Sequence, residues 1–201
     1  MNDQIAGPRA VISDAALDRL FRAARSHSVL RPPVSADELR AIYELMKWGP
    51  TTANSQPQRI LFLVSRAAKE RLAPALSAVN LKKTMEAPVV ALLAYDLKYY
   101  EHLPRMYHNP AARSWYEGKP HQEVTALRNA SLQGAYFMLA ARALGLDCGP
   151  MSGFDNAMVD AEFFPDGQWK SNFLCALGRG DAAALPSRND RFAFDEVCRI
   201  L

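Results

Sequence analysis

The run QEVTALRNASLQGAYFMLAARALG, residues 122–145, decides the fold class. Val124, Leu127, Ser131, Gly134, Phe137, Met138 and Ala141 recur near one side at helical spacing, and Gly145 supplies a stop, so the run predicts one long helix over Gln122 to Leu144. Small residues crowd that face. Ser131, Gly134, Ala135 and Ala141 permit close approach of a second helix, which suits the centre of a dimer and a helix buried within the chain equally well.

Working outward, the neighbouring segments alternate between strand and helix patterns. Ile60 to Val64 and Val89 to Tyr95 are short apolar runs read as buried strands, with a charged helical run from Ala67 to about Leu76 between them. Downstream, Asp155 to Phe164 reads as a short helix and Asn172 to Leu177 as a last buried strand. Towards the N-terminus, Ser13 opens a helix carrying Leu17, Leu20, Phe21 and Ala24. Ser35-Ala36-Asp37-Glu38 is a capping box whose hydroxyl and carboxylate satisfy each other's backbone donors; it starts a helix with Leu39, Ile42, Tyr43 and Met46 inward, ended by Gly49-Pro50. The expectation is one mixed, layered domain over residues 1–201, with a flexible lead at 1–12, an irregular aromatic and basic excursion at 99–121, and an extended arm at 182–201.

Composition narrows the function. At 201 residues and 49% hydrophobic content the chain can bury one sizeable core, and a net charge of +3 is too slight for a protein that tracks nucleic-acid phosphates. The longest apolar run, Pro88 to Tyr95, is far short of a membrane span, and the first residues show no apolar signal region, so a cytoplasmic protein without membrane or nucleic-acid partners is expected. Cys148, Cys175 and Cys198 are odd in number and have no CxxC spacing, which argues for reduced thiols and against a zinc site. His102, His108 and His121 offer no helix-spaced ligand pair, so no metal is expected.

Four polar clusters interrupt the patterned elements. Arg25-Ser26-His27-Ser28 crowds a guanidinium, an imidazole and two hydroxyls into one turn, which suits a phosphate or polyhydroxyl chain, or simply a solvated helix end. Gly49 to Pro57 is a polar loop between two prolines, with the amides and hydroxyls that recognise a planar heterocycle, or that fold back on a turn of their own. Asn80-Leu81-Lys82-Lys83 lies on a charged stretch, and Arg188 and Arg191 in the tail either grip an anion or face water.

In order along the chain, "RSHS", "LMKWGPTTANSQPQR", "NLKKTMEAPV", "RNASLQGAY", "ALGLDCGPMSGFD", "KSNFLCALGRGD" and "RNDRFAFDEV" resemble the nitroreductase-like FMN flavoproteins, most closely the malonic semialdehyde reductase branch. The resemblance runs from Arg25 to Val197. It implies an α+β three-layer sandwich: a central mixed, mostly antiparallel sheet flanked by helices, in a homodimer that exchanges C-terminal arms and holds FMN at the subunit interface.

Carried over by position, the resemblance implies that Arg25, Ser26, His27 and Ser28, with Arg188 and Arg191, surround the FMN phosphate and ribityl end. Pro50, Thr51, Thr52 and Asn54 would lie against the flavin of the partner subunit. Asn80 and Lys83 would stand beside the pyrimidine half of the ring, and Pro150, Met151, Ser152 and Gly153 near N5. The chain departs from the pattern at Val29, where many relatives carry a basic residue, at Ser152, where many carry Glu, and at Asp190, where Pro is common. The implied activity is a ping-pong exchange between NADH or NADPH and an oxidant. Malonic semialdehyde or a similar small oxo-acid is the first choice of acceptor, and Arg105, Arg113 and His121 are candidates for its carboxylate. A broad nitroarene or quinone reductase using Tyr107, Trp115 or Tyr116 is the alternative, and a flavin-binding or flavin-fragmenting protein without NAD(P)H turnover is an alternative of another class. No catalytic proton donor is assigned.

Overall fold

The computed structural model describes residues 11–201, so the expected flexible lead at 1–12 lies outside the described residues except for Val11 and Ile12. Helix α1 (Asp14–Leu17) is opened by Ser13, whose Oγ accepts from the Ala16 N–H at 3.2 Å, and runs into a π-helical turn at Asp18–Arg22. A two-residue strand β1 (Leu30–Arg31) leads to α2 (Ala36–Met46), where the expected capping box forms. There the Glu38 N–H donates to Ser35 Oγ at 3.2 Å and the Ser35 N–H donates to the Glu38 carboxylate at 2.8 Å. Next come β2 (Gln58–Leu63), α3 (Arg66–Leu72), α4 (Ala78–Glu86), β3 (Val89–Asp96), the short α5 (Leu103–Met106), α6 (Gln122–Ala143), β4 (Asp147–Met151), α7 (Asn156–Phe163), β5 (Trp169–Gly180) and α8 (Phe194–Val197).

The sheet is built around β5. Strand β3 pairs along one side of it, from Val89 opposite Leu177 to Asp96 opposite Trp169, with a bulge at Leu93/Ala94. On the other side β4 pairs Cys148 with Leu177 and Pro150 with Cys175, and β1 continues the line at Leu30 and Gly180. Strand β2 pairs with β3 and forms the outer edge. All four ladders are antiparallel, and a single parallel bridge between Ser26 and Cys148 gives the sheet its mixed character.

Alternation along the strands separates two cores. Val90, Leu92, Ala94, Leu174 and Ala176 face one layer, with Leu72 of α3 and Val159 of α7. Val89, Ala91, Leu93, Cys175 and Leu177 face the other, with Ile42 and Met46 of α2 and Phe137 and Ala141 of α6. Every residue of β3 is buried, which is why its sequence reads as a continuous apolar run. Helices on both faces of one sheet make the three-layer α+β sandwich.

Two expectations change in detail. The 99–121 excursion is not a loose cover but has a core of its own: Tyr99, Leu103, Ala112 and Tyr116 pack on Ala126 and Ala130 of α6. Gly134 of α6 receives the ring of Phe173 from β5, so this part of the small-residue face is used within the chain and against a strand.

Candidate functional site

The segment after the π-helical turn and the C-terminal tail enclose a cavity of about 560 Å³ whose lining includes Arg25, Ser26, Arg142, Arg188 and Arg191. Arg25 donates to the Pro186 carbonyl at 2.6 Å, and Arg188 returns a bond to the Ala24 carbonyl at 2.9 Å. Arg191 donates only to the Asn189 and Asp190 carbonyls. Among the described residues none of these three guanidiniums forms an ion pair, whereas Arg22 beside them is matched by Asp14 and Asp18 at 2.7 Å each. Several positive charges that meet only carbonyls around one cavity have the chemistry to hold an anion with several oxygens.

His27 and Ser28 stand apart from it. The His27 ring is 8% exposed and fills the space left by the missing side chain of Gly180, with Nε2 3.9 Å from the Asp147 carboxylate. Its backbone N–H donates to the Cys148 carbonyl at 2.9 Å, so His27 ties this segment to β4 while Arg25 and Ser26 face the cavity. Ser28 is exposed and does not line the cavity.

From that tie β4 leads to a second polar group. It carries Pro150 and Met151 and leads into Ser152 and Gly153; at about 3.3 Å per residue the five steps from Cys148 to Gly153 span at most roughly 16 Å. Asn80 Nδ2 donates to the Gly153 carbonyl at 2.9 Å, and the Ser77 N–H to the same oxygen at 3.0 Å. Lys83 lies one helical turn beyond Asn80, is partly buried, and forms no ion pair among the described residues, whereas its neighbour Lys82 is exposed and 4.0 Å from Glu86. Ser77 Oγ is buried without a partner. Ser152 is exposed.

The loop with Pro50, Thr51, Thr52 and Asn54 is the most strained backbone described. Ala53, Asn54 and Gln56 have φ of 48°, 49° and 41°, the left-handed region that non-glycine residues seldom enter. Two buried amides of α6 hold it: the Thr52 N–H donates to Asn129 Oδ1 at 2.8 Å and the Gln58 N–H to Gln133 Oε1 at 3.0 Å. Asn54 Nδ2 donates to the Met106 carbonyl of the excursion at 2.8 Å. Sequence reasoning missed Asn129 and Gln133, although polar residues at Thr125, Asn129 and Gln133, four apart on the inward side of a helix, were a signal that something polar is held there. Among the described residues no hydrogen bond joins this loop to Asn80, Gly153 or the arginine cavity. One chain therefore brings Arg25, Ser26, Arg188 and Arg191 together at one end of β4 and Asn80, Lys83 and Gly153 at the other, while the 50–54 loop is bonded instead to α6 and the excursion.

A larger apolar groove of about 850 Å³ runs beside the free edge of β2, between α2 and Arg105-Met106. The tail carries exposed Phe192, Phe194, Val197 and Ile200. All three cysteines are free, and the Cys175 thiol is pushed up by its hydrogen bond with Cys148 and by burial. Among the described residues no group of His, Cys, Asp or Glu is arranged to hold a metal, and no helix is long and apolar enough to cross a membrane.

Comparison with known proteins places this geometry. The profile of the Nitroreductase family matches residues 9–179. A protein of Ralstonia nicotianae, provisionally named NADH dehydrogenase/NAD(P)H nitroreductase, is 51% identical over 192 residues, covering 94% of this chain and 98% of its own. Among solved structures, a provisionally named nitroreductase of Bacillus subtilis superposes with a TM-score of 0.85 at 26% identity, covering 93% of this chain and 99% of that one. Another from Exiguobacterium sibiricum, solved in complex with FMN, gives 0.84 at 22% identity with 96% and 99% covered, and supports the fold.

Proposed function

Because the chain belongs to the nitroreductase family, we propose that it is an FMN-dependent NAD(P)H oxidoreductase. The observation that carries this reading is the pairing, along one strand, of unmatched guanidiniums at Arg25, Arg188 and Arg191 with the amide and ammonium of Asn80 and Lys83. That donor set fits FMN. Arginine forks suit the phosphate, and the unpartnered Ser77 hydroxyl and the Asn80 amide, packed together on the bare backbone of Gly153, offer polar groups to the edge of a flat ring.

Bound there, FMN would supply the two-electron redox chemistry that links NAD(P)H to an oxidant. The chain's own residues bind, orient and supply charge. Arg25, Arg188 and Arg191 would neutralise the phosphate and fix its end, and Lys83 would supply an ammonium to offset the negative charge that develops on the pyrimidine half of the ring.

The active form proposed is a cytoplasmic homodimer in which the 50–54 loop of one chain completes the site of the other. Three features support it: the loop makes no hydrogen bond to Asn80, Gly153 or the arginine cavity among the described residues, the edge of β2 is free beside an apolar groove, and the 182–201 arm carries exposed apolar residues, which suit exchange between subunits. The free cysteines accord with a reducing compartment. For the acceptor we favour malonic semialdehyde or a related small oxo-acid, reduced to the hydroxy acid. Arg105 supports this: it is exposed, forms no ion pair among the described residues, and adjoins the Met106 carbonyl that holds Asn54. A nitroarene or quinone acceptor is favoured instead by Trp115, 42% exposed and edge-on to Tyr107 at 6.0 Å.

The purified protein should be yellow and, mixed anaerobically with NADH or NADPH, should bleach at the flavin band; colourless protein that FMN cannot reconstitute rejects the reading, and retained colour without bleaching leaves a flavin-binding or flavin-fragmenting protein. Steady-state kcat/KM with malonic semialdehyde against a nitroarene decides the acceptor. Light scattering of the full chain decides the dimer.

A further inference from the structure

We infer that Arg142 is a further ligand of the phosphate monoester in the cavity between the first helix and the C-terminal tail, an assignment that rests on the FMN reading above. Arg142 lies in the last turn of α6 and lines that cavity together with Arg25, Ser26, Arg188 and Arg191. Its guanidinium makes one bond, from Nη1 to the Leu20 carbonyl at 3.2 Å, while Nε is buried without a partner. No carboxylate among the described residues forms an ion pair with it. Arg22, which lines the same cavity, has two.

A partly buried cation without a counter-charge is unfavourable unless something anionic arrives. The contrast with Arg22 shows that this part of the chain does supply carboxylates where a guanidinium is to be satisfied internally. Arg142 also differs from the other unmatched arginines in its support. Arg25, Arg188 and Arg191 sit on irregular segments, whereas Arg142 stands on a 22-residue helix whose last turn favours a cation, and its own carbonyl is held by Arg19 Nε at 2.9 Å. A guanidinium fixed in this way loses little freedom on gripping a phosphate oxygen. It supplies positive charge to a cavity whose first segment carries Val29 and no second Arg or Lys after Arg25 before Arg31.

The rival role is structural: through Leu20, Arg142 fastens α6 to the first helix. FMN and riboflavin separate the two roles, because they share the ring and ribityl chain and differ in the phosphate. Dissociation constants for both are to be measured by flavin fluorescence on the flavin-stripped full chain, for wild type, Arg142→Gln and Arg142→Lys. The expected result is that Arg142→Gln weakens FMN about 10- to 100-fold and Arg142→Lys, which keeps the charge but not the fork, less; riboflavin stays within about twofold in both. Added salt should weaken FMN less in Arg142→Gln than in wild type. Equal weakening of FMN and riboflavin, or no change in either, overturns the assignment. Should Arg142→Gln fail to fold, the charge-retaining Arg142→Lys decides alone, an unchanged FMN-to-riboflavin ratio counting against it. A wild-type chain that binds neither flavin rejects the proposed function and not this residue's part in it.

Discussion

Asn80 Nδ2 donates to the Gly153 carbonyl at 2.9 Å, and a Cβ built on residue 153 would fall 2.7 Å from the same nitrogen and 2.8 Å from Ser77 Oγ. The amide and the bare backbone are thus fitted to each other. In Gly153→Ala both side chains must move, and overpacking of this kind lowers stability by about 1–3 kcal/mol. Flavin affinity should fall with it. Asn80→Ala in the same chain removes the closer of the two contacts, so the double variant should lose less stability than the two single losses added together. Additive losses in thermal melts would show that the two residues do not press on each other.

Lys83→Ala should slow flavin reduction by about 100-fold, the scale of losing one fixed charge from a site where charge develops, and make the flavin potential more negative. It makes no ion pair to lose among the described residues, so folding should be nearly unaffected. Stopped-flow reduction and a melt on the same sample test this; a large drop in melting temperature with an unchanged reduction rate would contradict it.

The left-handed backbone of the 50–56 loop should be relieved at Ala53, where glycine removes the Cβ penalty. Ala53→Gly is expected to stabilise the protein by about 1 kcal/mol, less whatever the added chain freedom takes back. Asn129→Leu leaves the Thr52 N–H without its acceptor and should destabilise by about 1–3 kcal/mol. If Asn129 is what holds the strain, its loss should matter less in the Ala53→Gly background, which urea melts of the four chains would show.

Long-range arrangement was legible wherever burial wrote a period into the sequence. The capping box at Ser35–Glu38, the continuous apolar β3 and the full length of α6 stand where their patterns put them, because each depends on local bonds or on burial of a whole face. Strand β4 was illegible for a physical reason: Gly149-Pro150 reads as a turn, and only the ladder to β5 makes those residues extended. The 99–121 excursion hid its core because Tyr99, Leu103, Ala112 and Tyr116 meet through irregular short turns, which have no fixed period. In the site, cation-rich segments gave Arg25 and Arg188 by chemistry, but the inward turn of His27 depends on Gly180 in a distant strand, which no spacing records. Arg142 closes a helix, and only the tail folded beside it makes it part of a cavity, which its local sequence does not record.

The α2 cap ties local structure to pH. Glu38 accepts from the Ser35 N–H and from Arg179 Nη2, 2.5 Å away on β5, and its carboxyl is held below the usual range first by the Ser35 backbone bond and then by the Ser35 hydroxyl and Arg179, against the opposing effect of burial. A carboxyl with a depressed folded-state pKa contributes stability above its unfolded value, about 4.3, and loses it as the pH falls through the folded value. Acid should therefore weaken the α2–β5 contact as Glu38 gains its proton. Glu38→Gln, which cannot ionise, should be less stable than wild type at neutral pH by about 1 kcal/mol, the scale of a lost cap, and its melting temperature should fall less steeply between about pH 5 and pH 3. Parallel melting curves for the two chains across that interval would mean that the proton taken up on unfolding belongs to some other carboxylate.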